Sequence, residues 1–185
     1  APLTNFPIKG VIWYQGEGNV KHAAEYDRLF PALISDWREQ WGQGDFPFLF
    51  VQLAKYMKQK QSPTQIGWAR LREAQSKTLN LNNTAMGITI DIGDANDIHP
   101  KNKKDVGYRL ATQAQRLVYN QQKSPNPPAY KAMKVVDGKI KITFSNPSAL
   151  DVKDGTFLKN FTIATKDKKF VWAKAKYRNN EVIVW

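Results

Sequence analysis

The 185 residues contain no cysteine and only two histidines, His22 and His99. Without cysteine there are no disulfides, no thiolate zinc sites and no cysteine nucleophile, and the redox compartment stays open. No run approaches the roughly 18 apolar residues of a membrane-spanning helix, and Ala1-Pro-Leu-Thr-Asn5 has neither the charged start nor the apolar run of a secretion signal. Acidic residues are scarce, 16 against 28 lysines and arginines, for a net charge of +12. Up to residue 129 there are 16 basic and 11 acidic side chains; beyond it there are 12 and 5. This excess reads as spread rather than striped. Lys139, Lys141, Lys166, Lys168, Lys169, Lys174 and Lys176 fall beside strand-like runs, at spacings that suit solvent-facing positions, turns and protected sheet edges. Neither a nucleic-acid partner nor a membrane is expected.

With 42% hydrophobic and 12% aromatic residues, the chain can bury the core of one domain, or of one domain and part of a second. Up to residue 123, strand-like runs alternate with helical patterns: Ile8 to Tyr14, then 23–41, Phe46 to Leu53, 64–80, Ala85 to Ile90 and 102–121. That alternation predicts βαβ units around a parallel sheet. In the first helix Tyr26, Phe30, Leu33, Ile34, Trp37 and Trp41 form one apolar stripe, which Pro31 should kink. Ser62-Pro63-Thr64-Gln65 carries the signals of a capping box for the second helix. Residues 124–129 hold three prolines in four positions, a linker composition. From 130 to 185, short alternating runs separated by Asp137-Gly138, Asp154-Gly155, Asp167-Lys168 and Asn179-Asn180 predict a hairpin-rich β module.

Ligands of open parallel sheets bind beyond the carboxyl ends of the strands. Two such ends carry chemistry. In Trp13-Tyr-Gln15-Gly16-Glu17-Gly18-Asn19 the glycines let backbone N–H groups approach an anionic atom, and Gln15 or Asn19 can donate to a developing oxyanion. In Asp91-Ile-Gly-Asp94-Ala-Asn-Asp97-Ile-His99-Pro100, an imidazole that can exchange a proton near neutral pH sits among carboxylates. His99 lies at a predicted helix N-terminus, which disfavours its charged form, while Asp94 and Asp97 favour it. Metal binding is not expected, because His22 and His99 fall on different elements with no His-x-x-x-His pairing.

Gly10-Val-Ile-Trp-Tyr-Gln-Gly-Glu17 with Asn19, Tyr26 to Trp37, Leu71-Arg72-Glu73-Ala74-Gln75, Asp97-Ile-His-Pro-Lys-Asn-Lys103 and Val106-Gly-Tyr-Arg-Leu-Ala111 together resemble the sialate O-acetylesterases, a group within the SGNH-type hydrolases. The resemblance implies a three-layer α/β/α fold with part of an accessory β module. It implies no cofactor, and suggests export. The implied reaction removes O-acetyl groups from sialic acid or related sugars through a serine nucleophile and an acetyl-enzyme. By position His99 matches the general base, and Gln15, Gly16, Glu17 and Asn19 the oxyanion and substrate loop. Arg72 and Gln75 match an arginine–glutamine helix that supports the pocket.

Three departures accompany the resemblance. The common SGNH spacing puts the triad aspartate three residues before the histidine, where this chain has Asn96; Asp97 is the nearest carboxylate, so the implied arrangement is a shifted triad or a serine–histidine dyad. Gly18 replaces the family's serine. The glycine-glutamine-serine-asparagine motif of the nucleophile does not occur. A fragment is therefore expected, inactive alone and partnered by an N-terminal serine-bearing part of the same esterase. Two alternatives stand beside it: an acetylxylan-type esterase of the same fold, and a non-catalytic carbohydrate-binding protein in which Trp13, Tyr14 and Trp68 stack on sugar rings.

Overall fold

The structure, a computed structural model, describes residues 2–58, 60–63, 67–121, 128–147, 150 and 157–185. They form two compact units, one from residues before 60 with 65–123, the other from 60–64 with 124–185.

In the first unit, strands β1 (Val11–Trp13), β2 (Phe48–Val51) and β3 (Thr84–Gly87) make a parallel sheet in the order β1-β2-β3. Helix α1 (Ala23–Trp41) connects the first pair of strands and α2 (Gly67–Lys77) the second; α3 (Lys103–Leu117) follows β3. The central strand explains the layering. Its four residues, Phe-Leu-Phe-Val, are all buried, as a strand covered on both faces requires. Phe48 and Phe50 point to one face, where they pack with Tyr26, Phe30 and Ile34 of α1 and Trp68 and Leu71 of α2. Leu49 and Val51 point to the other and meet Val106 and Leu110 of α3. Two helices on one face and one on the other give the three-layer α/β/α arrangement. At about 1.5–3 kcal/mol for each large apolar side chain buried, these two clusters dominate the unit's stability.

The strands are shorter than their apolar runs. β1 follows Gly10 and stops at Trp13, before the backbone turns at Gly16 with φ 147°. Pro47, which has no N–H to give a ladder, precedes β2. β3 stops at Gly87 because the Thr89 hydroxyl donates to the Gln52 carbonyl (2.6 Å), and a short 3-10 turn begins at Ile90. α1 has the expected bounds and passes through Pro31 without a break. In α2 the α-helical geometry ends at Lys77 and a 3-10 turn covers Thr78–Asn80; Thr64 and Gln65 of the expected capping box lie outside the described residues. At the amino ends of the strands, the buried Arg38 guanidinium donates to the carbonyls of Phe46, Asn82 and Asn83. It ties α1 to the loops that enter β2 and β3.

The second unit is an antiparallel sheet, β4 (Tyr130–Val136), β5 (Lys139–Phe144), β6 (Phe157–Ile163), β7 (Val171–Arg178) and β8 (Glu181–Val184), in the order β4-β5-β8-β7-β6. Two of the predicted turns have left-handed backbone at both central residues, Asp137 and Gly138 (φ 49° and 70°) and Asn179 and Asn180 (φ 52° and 62°). These mirror-image turns match the strand twist and close β4–β5 and β7–β8. Ala175, Val182 and Val184 are buried on one face with Ile140, Ile142 and Phe161 packed against them. The Gln61 carbonyl accepts from the Trp172 indole (2.7 Å), which attaches residues 60–63 to this unit. Residues 124–127 of the expected linker and the Asp154-Gly155 turn lie outside the described residues.

Candidate active site at the carboxyl ends of the parallel strands

The loop after β1 is fixed from below by one residue. Gln75, on α2 and 1% exposed, donates through Nε2 to the carbonyls of Gln15 (3.3 Å) and Val51 (3.2 Å), while its Oε1 accepts from the Leu53 N–H (2.9 Å). Both N–H groups are thereby used. Gln75 braces the ends of β1 and β2 against each other and has no donor left for a substrate. The Gln15 side chain lies above this brace. Its Oε1 accepts from the Tyr26 hydroxyl (3.1 Å), and one N–H goes to Asn19 Oδ1 (2.7 Å). That leaves the second Gln15 N–H and the amide N–H groups of Asn19 without a partner among the described residues, available to an oxyanion or a sugar oxygen.

Gly16 is buried beneath this arrangement, and a Cβ there would come within 2.8 Å of Leu71 Cδ2 and 3.3 Å of Gln75 Nε2. Gly18 is open, with ordinary backbone and nothing within 4 Å of an added Cβ. Substituting serine at Gly18 is expected to leave the fold intact and to stabilise it by about 0.4–1 kcal/mol through the unfolded chain. Gly16→Ala has both the left-handed φ and the contact against it and should destabilise by more than that. A thermal melt of the two variants checks the contrast, and equal melting temperatures would refute it.

The second loop is laid against the segment leaving β2. Met57 N–H donates to the Ala95 carbonyl (3.1 Å), and Gly93 sits so close to the Lys55 backbone that a side chain would collide with it. Two turns shape the rest. Asp94 Oδ1 accepts from the Asn96 N–H (2.8 Å), and Asp97 Oδ1 from the His99 N–H (2.9 Å). Ile98 then packs into the core and Pro100 is buried, so the imidazole between them projects outward, 88% exposed. His99 Nδ1 lies 3.8 Å from Asp97 Oδ1, too far for a hydrogen bond. Asp97 thus shapes the loop through the backbone and is near the imidazole without holding it.

Two expectations about this loop change. α3 starts at Lys103 with Asn102 as its cap, so His99 stands three residues upstream of the cap, outside the first turn where the helix dipole acts. The sequence also counted Asp91 among the carboxylates around the histidine. Instead the Arg109 guanidinium grips it through both oxygens (2.5 and 2.7 Å) and also donates to the Ile88 carbonyl. Asp91 serves to hold the loop onto α3.

Of the remaining sequence candidates, Arg72 is half-buried, and burial lowers the pKa of its guanidinium; its carbonyl accepts from Ser76 Oγ and Gln52 Nε2. Glu17 is half-buried, and its charge adds to the burial that raises the Tyr14 phenol pKa. The Tyr14 hydroxyl and the Trp13 indole N–H are buried without partners among the described residues. Lys103 Nζ stands 5.0 Å over the Tyr14 ring and joins the first loop to the start of α3. Sequence reasoning gave no site role to Lys103 or Arg109 and read Tyr26 only as part of an apolar stripe, although all three lie in the motifs singled out and the Tyr26 hydroxyl donates to Gln15. Trp13 and Trp68 are engaged in core packing. Trp13 packs on Phe30, Trp37 and Phe48, and Trp68, 6% exposed, on Tyr56. Tyr14, the third aromatic of the carbohydrate-binding alternative, is half-buried with Lys103 over its ring. Among the described residues no group of three His, Asp or Glu side chains is placed to hold a metal ion.

A family model described as a carbohydrate esterase, sialic acid-specific acetylesterase, matches residues 2–116. The chain belongs to that family. Sialate O-acetylesterase of Mus musculus is 32% identical over 197 residues, covering 94% of this chain and 35% of the mouse protein. The Homo sapiens sialate O-acetylesterase is 37% identical over 136 residues, covering 65% of this chain and 26% of the human one. The crystal structure of a carbohydrate acetylesterase from Xanthomonas citri superposes with a TM-score of 0.90 at 41% identity, over 99% of this chain and 43% of that one. The chain thus spans about a third, or less, of the curated relatives it matches.

Proposed function

We propose that this chain is the base-bearing portion of an esterase that removes O-acetyl groups from sialic acid or a related acetylated sugar, with His99 as general base and the nucleophilic serine supplied by sequence outside these 185 residues. The observation that carries the reading is the outward imidazole of His99, fixed by Ile98 and Pro100 on the same sheet end as the Gln15–Asn19 donors. In the reaction His99 takes the proton of the serine hydroxyl as its oxygen attacks the acetyl carbonyl. Donors of the first loop stabilise the oxyanion, and His99 returns the proton to the departing sugar oxygen. Water, activated by the same imidazole, then releases acetate from the acetyl-enzyme.

The serines present support an external nucleophile. Ser76 Oγ is engaged by the Arg72 carbonyl and Gln52, Ser35 lies on the exposed side of α1, Ser62 and Ser145 are exposed and belong to the second unit, and Ser124 and Ser148 fall outside the described residues. The 185-residue chain is therefore expected to hydrolyse p-nitrophenyl acetate no faster than its His99→Ala version. A clear difference between the two would sink the external-nucleophile assignment. Release of acetate by the full-length enzyme from O-acetylated sialic acid rather than acetylated xylan tests the substrate.

A further inference from the structure

The sequence spreads its lysines, but the register of the second sheet collects them. Ile140, Ile142, Val182, Val184, Ala173 and Ala175 turn inward, so their strand neighbours share the opposite face. Across that face Lys134 stands opposite Lys141, Lys141 opposite Ile183, Ile183 opposite Lys176, and Lys176 opposite Phe157. In the adjacent row Lys139 lies over the Trp185 ring at 5.6 Å, and Trp185 exchanges both backbone hydrogen bonds with Lys174. Arg178, opposite Glu181, extends the cationic column of β7. Six cations thus share one face with a single carboxylate side chain, Glu181, and no ion pair joins any of the six among the described residues.

Like charges placed directly opposite across strands destabilise a sheet, and edge protection needs lysines only on outer strands, whereas Lys139, Lys141, Lys174 and Lys176 occupy inner ones. An anion arriving on this face would relieve that repulsion. Trp185 and Phe157 lie among the cations, both exposed, and give it apolar surface. We infer that this face of the β module is a docking surface for an acidic polysaccharide, whose carboxylates meet the lysine rows while sugar rings cover Trp185. The cationic face is independent of the esterase reading; the choice of a glycan over a nucleic acid rests on the carbohydrate chemistry of the family.

The test is titration of the 185-residue chain with a soluble polymer of sialic acid, with neutral xylan and a single-stranded DNA 20-mer in parallel arms, at low and physiological salt. Binding of the sialic acid polymer that weakens with salt, with no binding of xylan, is expected. Lys141→Glu with Lys176→Glu should weaken it by roughly tenfold or more, by analogy with counterion release from other polyanions. Lys166→Glu with Lys168→Glu makes the same change in net charge in the turn before β7 and should stay within about twofold. The first double variant should melt no lower than the parent, since it removes a like-charge opposition, so lost binding cannot be mistaken for misfolding. His99→Ala should bind like the parent, which separates this face from the esterase site. Equal losses in the two double variants, DNA bound as tightly as the sialic acid polymer, a loss with His99→Ala, or no binding at physiological salt would each overturn the inference.

Discussion

His99→Ala, a change at the proposed general base introduced into the longer protein, is expected to lower its esterase kcat on the order of 10³-fold with little change in KM, because a positioned general base contributes about 10²–10⁴. Asp97→Asn separates the two arrangements of the acid partner. Asparagine keeps the oxygen that accepts the His99 N–H at 2.9 Å, so the loop holds its shape, and only the charge is removed. Since Nδ1 and Oδ1 are 3.8 Å apart, Asp97 contributes its field rather than a hydrogen bond, and the loss should be about 10- to 100-fold. Acetate release under saturating substrate reads both. If Asp97→Asn falls as far as His99→Ala, the carboxylate closes on the imidazole in the working enzyme and the pair acts as a full triad. If His99→Ala retains more than a tenth of the activity, the base lies elsewhere.

How far these features could be read from the sequence depended on whether neighbours along the chain or neighbours in space decide them. The bounds of α1 follow from an apolar spacing that Phe30 and Ile34 satisfy locally, and the hairpins at Asp137-Gly138 and Asn179-Asn180 follow from residues that tolerate left-handed backbone. Phe48 to Val51 announce a strand buried on both faces by having no polar residue at all. Gln75 gave no such sign of its three backbone contacts, because nothing local marks a helical amide whose partners lie 22 to 60 residues away. Asp91 looked like a partner for His99 because they are close in sequence, yet Arg109, 18 residues on, takes it. The lysine rows were invisible for the same reason. β8 is last in sequence but inserts between β5 and β7, and only that order sets Lys141, Ile183 and Lys176 in one line.

Gln75→Leu should be the most damaging single substitution to the first unit outside its apolar clusters. It preserves approximate volume and helix propensity but strands the Val51 carbonyl and the Leu53 N–H where water has little access, and leaves the Gln15 carbonyl only the long bond from the Tyr26 hydroxyl (3.4 Å). Each orphaned buried group costs about 1–3 kcal/mol, so two of them make a loss of roughly 2–6 kcal/mol, a large part of the total stability of an ordinary domain. Gln75→Glu makes a sharper test. It keeps an acceptor for Leu53 but turns a second oxygen toward the two carbonyls, where the protonated acid can donate to one of them and the carboxylate to neither. Burial and these carbonyls would raise the folded pKa of such a carboxyl above the unfolded value of about 4.3. The variant should therefore be most stable below that value and lose stability as pH rises through its folded pKa. Urea unfolding at several pH values measures this, and exchange of the Leu53 amide reports the brace directly. A Gln75→Leu loss under about 1 kcal/mol, or a Gln75→Glu variant insensitive to pH, would mean that the ends of β1 and β2 are held without it.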